Sequence, residues 1–272
     1  MVTAIDEKVP PLGPGDKLTR EEFLRRWEAH PEIKRAELIG GIVYMPSPVS
    51  LDHGNNDWDL RIWLGNYSVA TPGTDGGHNT TTFLLDDTPQ PDLHLRILPE
   101  HGGSSREEDG YLGGVPELLA EVCLSSAAYD LHVKYDLYQA AQVPEYLAIV
   151  LYEREIRWHR LVDGKYRLQP PDGDGIWRSR VFPGLWLDGQ ALLARDMSKV
   201  LERLQEGIQS AAHQEFVAQL AANKSSTVPK QRLNRPPSFA PLWRFTRSTP
   251  QPPLELPETG LVSILVRSLI LF

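Results

Sequence analysis

Three side chains in the middle of this 272-residue chain have the types and spacing to act on a phosphodiester. Asp92 follows Pro91, Glu121 sits inside the apolar run Leu118-Leu119-Ala120-Glu121-Val122-Cys123, and Lys134 comes 13 residues later. Breaking a phosphodiester needs a cation to offset charge on phosphorus and to activate water. Mg²⁺ takes oxygen ligands and is commonly held by one or two carboxylates. Asp92 and Glu121 are therefore the expected metal ligands, for Mg²⁺ or Mn²⁺, provided their strands are neighbours in one sheet. A lysine beside them would steady the developing charge or orient the attacking water, and Lys134 is placed to do so. An acid inside an apolar strand is costly to bury unless paired or metal-bound, which makes a surface role for Glu121 hard to sustain.

Each residue also has a plainer reading. Asp92 could start a strand, and Glu37 could be a surface strand acid. Lys134 could form an ordinary helix pair with Asp130, four residues before it. Glu121 could pair with an arginine. His53 suits helix-cap duty, and Cys123, with no local histidine to activate it, reads as a buried structural thiol.

Several elements must bring these side chains together. Residues 1–17, with prolines at 10, 11 and 14, read as a disordered lead. Thr19-x-x-Glu22 is a capping box that opens a helix from 20 to about 30, with Phe23, Leu24 and Trp27 inward. Residues 36–45 read as two short strands around Gly40-Gly41. A second helix is expected over 50–69, capped by Ser50 or Asp52, with Leu51, Trp58, Ile62 and Leu64 inward. Residues 72–77 read as a turn, 81–85 and 93–98 as strands, 101–109 as a polar loop and 117–123 as a buried strand. A helix over 129–142 precedes strands at 146–151, 156–162 and 165–168, the last two joined at Asp163-Gly164. Phe182-Pro183-Gly184-Leu185 turns into a final short strand. One long amphipathic helix is expected from 196 to about 224, with Val200, Leu204, Ile208, Phe216 and Leu220 on its stripe. Residues 225–272 are proline-rich and read as a disordered tail.

Composition narrows the class. With 41% apolar and 24% charged residues the chain is an ordinary globular sequence. A single cysteine leaves no internal disulfide, so the expected setting is cytoplasmic. The start lacks a signal-peptide core, and no apolar run is long enough to span a bilayer, so no membrane partner is expected. The net charge of −8 is uneven: residues 222–272 carry a net +5, leaving −13 on the rest. An acidic body argues against broad non-specific duplex binding, yet acids gathered around a cation would contribute such charge. Leu256-Pro257-Glu258-Thr259-Gly260 matches a cell-wall sorting signal, but Arg267 interrupts the apolar stretch behind it and no export signal precedes it.

A run of motifs in order resembles the Uma-type restriction-endonuclease family, a branch of the PD-(D/E)XK nuclease superfamily. Leu18-Thr19-Arg20-Glu21-Glu22-Phe23 is similar to the opening helix, and Ala36-Glu37-Leu38-Ile39-Gly40-Gly41-Ile42-Val43-Tyr44-Met45-Pro46-Ser47-Pro48 to the first hairpin. Pro91-Asp92 resembles the second-strand acid and Pro116-Glu117-Leu118-Leu119-Ala120-Glu121-Val122 the strand carrying the glutamate. Ser125-Ser126, Asp130, Lys134, Tyr138 and Val143-Pro144-Glu145-Tyr146 follow, then Phe182-Pro183-Gly184-Leu185 as the closing turn. The resemblance spans about residues 18–193. It implies Asp92 and Glu121 as metal ligands, Glu37 as an additional acid, and Lys134 as a catalytic lysine moved from its usual place two residues after the glutamate, here Cys123.

The expected fold is thus α/β (α+β): a restriction-endonuclease-like mixed sheet flanked by helices over 18–195, with a helix over 196–224 and the tail appended. The expected activity is Mg²⁺-dependent hydrolysis of nucleic acid, DNA first, with catalytic residues Lys134, Glu121, Asp92 and Glu37. A homodimer is left open. The main alternative is a catalytically inactive relative that binds nucleic acid or a protein through the same cleft. A two-carboxylate glycosidase is the further one.

Overall fold

A computed structural model describes residues 9–45, 48–124 and 129–226. Helix α1 (Arg20–Ala29) precedes the hairpin β1 (Glu37–Ile39) and β2 (Ile42–Tyr44), and α2 (Leu51–Ala70) follows. Next come β3 (Thr74–His78), β4 (Thr82–Phe83), β5 (Leu93–Ile97), β6 (Arg106–Glu108), β7 (Tyr111–Gly113) and β8 (Leu118–Cys123). A π-helical turn (Tyr129–Lys134) runs into α3 (Tyr135–Ala140). The chain continues through β9 (Glu145–Val150), β10 (Glu155–Val162), β11 (Lys165–Gln169), β12 (Ile176–Arg178) and β13 (Trp186–Asp188). Helices α4 (Gly189–Leu193), α5 (Met197–Ile208) and α6 (Ala211–Ser226) close the described part. No helix among the described residues is long and apolar enough to cross a membrane.

A six-stranded sheet in the order β11-β10-β9-β8-β5-β3 forms the centre. Only β8 and β9 are parallel within it, joined by the crossover through α3, so the sheet is mixed as expected. Along β8 the side chains alternate between two cores. Leu118, Ala120 and Val122 pack with α2, α5 and α6, while Leu119 and Cys123 pack with Tyr138 of α3, Tyr146 and Ile39. Glu121 belongs to the second face by the same alternation. All six residues of β8 and of β9 are buried, which explains their near-continuous apolar sequence.

Several local expectations give way to the structure. Residues 9–17 do not behave as a disordered lead: Leu12 is buried, and the amides of Gly15 and Leu18 donate to the Val43 and Gly41 carbonyls at 2.8 Å. In α2 the core stripe is Leu60, Trp63, Leu64 and Tyr67, spaced for one helix face, so Leu51 and Trp58 are left exposed. The expected turn at 72–77 is the edge strand β3. Its Gly77 lies so close to the His94 ring that a Cβ would sit 2.4 Å from it, and glycine is what lets the strand pass. The polar loop at 101–109 contains β6. The long helix from 196 breaks after Ile208: Gly207 packs tightly on the Gly184 turn, and the Ser210 hydroxyl accepts from the His213 amide at 3.3 Å, capping a new helix. Both helices join the main core through Val200, Leu204, Phe216 and Leu220, so they belong to the domain expected to end at 195. The tail beyond 226, its sorting-signal match, and Ser125-Ser126 lie outside the described residues.

On the second face His159 stacks against Tyr146, with ring centres 5.9 Å apart, and its Nδ1 is buried without a partner among the described residues. Burial, with the charge of Arg157 adding to it, lowers its pKa from 6.5 to about 4. The unfolded chain therefore binds more protons between these values, and stability falls as pH drops through that window. His159→Phe keeps the stacking and removes the proton. Its melting temperature is expected to decline less than wild type between pH 6.5 and 4. Parallel declines would refute this.

Candidate active site

The register of β5 on β8 sets the first contact. The ladder pairs His94 with Leu119 and Leu93 with Ala120, so one step further Asp92 stands opposite Glu121. Directly opposed residues on one face are close neighbours. The Asp92 amide donates to Glu121 Oε2 at 3.3 Å, and the Val122 amide donates to Asp92 Oδ2 at 2.8 Å. The two predicted ligands therefore meet at one point, on one face of the sheet.

Lys134 arrives from the end of the π-helical turn. Its Nζ lies 3.0 Å from Glu121 Oε1, 3.1 Å from Glu37 Oε1 and 3.7 Å from Asp130 Oδ1. The lysine and Glu121 are 4% and 1% exposed, so this is a buried ion cluster and not the surface pair that Asp130 and Lys134 would otherwise suggest. Tyr138, one turn beyond Lys134, donates its hydroxyl to Glu121 Oε1 at 2.7 Å. Glu37 reaches the cluster from β1, where the Gln90 amide donates to it at 2.5 Å and the Tyr129 hydroxyl at 3.3 Å. His53, in the first turn of α2, places Nε2 3.7 Å from Asp92 Oδ2. All these side chains except Tyr138 line a cavity of about 390 Å³.

Burial sets the electrostatics. It pushes Glu121 well above the usual carboxylate range; Lys134 opposes this, while Asp92, Asp130 and Glu37 reinforce it. Burial alone would depress Lys134, but the four carboxylates of Glu121, Glu37, Asp130 and Asp92 carry it well above its ordinary value, so it stays charged. Burial also acts to raise Asp92, yet the imidazole of His53 beside it, the Lys134 charge and the Val122 amide together hold it below normal. The partner effect appears on His53, which the neighbouring Asp92 carboxylate raises against the opposing pull of burial. Cys123 is pushed up, chiefly by burial, which removes it as a thiolate nucleophile.

The donor set suits a hard cation. Four carboxylates face one lysine and one histidine in a buried space, which leaves an excess of negative charge. Asp92 has one carboxylate oxygen with no hydrogen bond among the described residues. No three His, Cys, Asp or Glu side chains among the described residues are grouped to hold an ion unaided. Asp92 and Glu121 could hold one only with water completing its shell, the usual habit of Mg²⁺.

All four residues singled out from sequence, Asp92, Glu121, Lys134 and Glu37, thus converge. Tyr138 was missed as a site residue, although its place four residues after Lys134 puts it on the same helix face. The contribution of Gln90, whose carbonyl lies 3.5 Å from Lys134 Nζ, carries no sequence signal because backbone atoms make it.

No curated protein matches the chain. A crystal structure described as that of "a putative nuclease belonging to DUF820" from Anabaena variabilis ATCC 29413 is similar, with 14% identity and a TM-score of 0.48 over 69% of this chain and 99% of that one. The model of the Uma2 family, described as "Putative restriction endonuclease", matches residues 20–190. That match takes in more than half the sequence and every residue of the acid–lysine cluster, and the chain belongs to the Uma2 family.

Proposed function

We propose that this protein is a metal-dependent endonuclease that hydrolyses phosphodiester bonds of nucleic acid, DNA in the first place. One observation carries the reading: a buried lysine held within 3.0 Å of Glu121 and 3.1 Å of Glu37, in a cavity that Asp92 also lines. A buried ion cluster is a poor device for stability, so its presence beside a cavity favours a chemical role. Membership of the Uma2 family supports the nucleic-acid substrate. Asp92 and Glu121 would hold Mg²⁺ or Mn²⁺, with Glu37 completing the acidic surroundings. The cation, when bound, supplies charge neutralisation and a more acidic water. Lys134 keeps its proton on Nζ and offers it as a hydrogen-bond donor to a phosphate oxygen or to the attacking water. Tyr138 fixes the Glu121 carboxylate from behind. Water adds across one P–O bond, leaving a phosphate monoester and a hydroxyl.

Supercoiled plasmid is expected to be nicked in the presence of Mg²⁺ or Mn²⁺ and to stay intact in EDTA. Asp92→Asn should lower the rate by about a hundredfold or more while staying folded at the assay temperature, with a melting temperature somewhat below wild type because the native carboxyl is held below its normal range. Nicking that persists in EDTA, or undiminished in Asp92→Asn, would overturn the assignment.

A catalytically silent relative is the second reading, and one observation favours it. Both Glu121 oxygens are already engaged, Oε1 by Lys134 and Tyr138 and Oε2 by the Asp92 amide. Calorimetric titration with Mn²⁺ separates the two: a silent scaffold gives no binding that depends on Asp92.

A further inference from the structure

The wall of the cavity differs from its acidic floor. The end of β2 and the segment joining it to α2 contribute Tyr44, Met45 and Val49, and Leu124 and Tyr129 extend the same apolar lining. The Tyr44 and Tyr129 rings lie 4.5 Å apart at 40°. Val49 is 54% exposed at the cavity, and its neighbour Leu51 is 78% exposed. A duplex is gripped mainly by unpaired Lys and Arg that replace its counterions. Besides His53, which sits on Asp92, only two cations line this cavity among the described residues. Lys134 is enclosed by carboxylates, and exposed Arg35 has no ion-pair partner among the described residues. The volume, about 390 Å³, suits one small ligand. Glu121 and Lys134 are almost fully buried, so a backbone lying across the mouth does not reach them. A nucleotide turned into the cavity does.

We infer that the cavity takes one unpaired nucleotide of a DNA strand, its base against Tyr44, Tyr129 and Val49, its own phosphate at Asp92 and Lys134, and a flanking phosphate on Arg35. The substrate is then single-stranded DNA, or a duplex at an extrahelical nucleotide, and not an intact duplex. Base–aromatic stacking is tolerant of sequence, and an already unpaired base avoids the cost of unstacking. This inference rests on the nuclease reading above.

The test uses the full chain with Mn²⁺ and three labelled substrates: a single-stranded oligonucleotide, its perfect duplex, and that duplex with one unpaired nucleotide. The single strand and the bulged duplex are expected to be cut at least about tenfold faster than the perfect duplex, the latter at the bulge. Tyr44→Leu, which keeps an apolar side chain, and Val49→Asp, at an exposed position, should each weaken single-strand binding by about fivefold or more. Val49→Asp should melt as wild type does, and Tyr44→Leu, which gives up its contact with Tyr129, should stay folded at the assay temperature. A perfect duplex cut as fast as the single strand would overturn the inference and leave the nuclease reading standing. If none is cut, the nuclease reading fails, and fluorescence anisotropy decides the rest: a single strand bound no tighter than the duplex overturns this inference as well.

Discussion

Glu121→Gln is expected to stop cleavage while leaving the melting temperature no lower than that of wild type. Glutamine keeps the shape of the side chain and an oxygen for the Tyr138 hydroxyl, which donates at 2.7 Å in the native protein, and gives up only the longer 3.3 Å bond from the Asp92 amide. It removes a charge whose burial pushes the Glu121 carboxyl well above its normal range. The charge therefore costs stability at neutral pH, and losing it relieves the fold. The same loss takes away one of the two carboxylates assigned to the cation, and turnover should fall by about 10² to 10³-fold. Plasmid nicking and thermal melting in EDTA read the two effects separately. A variant that melts well below wild type, or that still cuts at the native rate, contradicts the role given to this residue.

Lys134→Met should act on stability in the opposite direction. Removing one member of a buried ion cluster leaves the others uncompensated, at a cost of about 3–5 kcal/mol. Here the carboxylates left behind include Glu121 and Glu37, each close to 3 Å from Nζ in the native protein. Urea denaturation at neutral pH in EDTA measures the loss. Adding Glu121→Gln to Lys134→Met should restore part of it, because the two residues are in direct contact and their effects do not add. If Lys134→Met alone unfolds at the wild-type urea concentration, the cluster is not held together as described.

The sequence carried the participants better than their arrangement. Glu121 stood out because an acid in the middle of Leu118–Cys123 breaks an otherwise apolar strand. The capping box at Thr19 and the Gly40-Gly41 turn were legible because each is a local rule with a side chain to announce it. The pairing of Asp92 with Glu121 was not, since it depends on register, and a shift of one residue would place the acids on opposite faces. Glu37 comes from a separate hairpin, and only tertiary packing brings it to Lys134. In α2 the large side chains Leu51 and Trp58 suggested an inward face, but the stripe through Leu60, Trp63 and Tyr67 buries more continuous surface and wins. Asp75-Gly76-Gly77 looked like a turn because acid and glycine are scarce in strands; its place at the sheet edge over His94 makes it a tolerable one. The break at Gln209-Ser210 hid within a stripe whose period continues on both sides of it.

The π-helical geometry over Tyr129–Lys134 has its own implication. A π turn closes its hydrogen bond over one residue more than an α turn does. The angular position of the lysine is therefore fixed by how many amino acids precede it in that turn, and not by its side chain alone. Deleting one of Leu131, His132 or Val133 would let the segment relax to α-helical winding and bring a neighbour's side chain around toward the acids. At this point in the chain a change of length is a harsher lesion than most changes of residue type, even though every atom named in the chemistry would still be present.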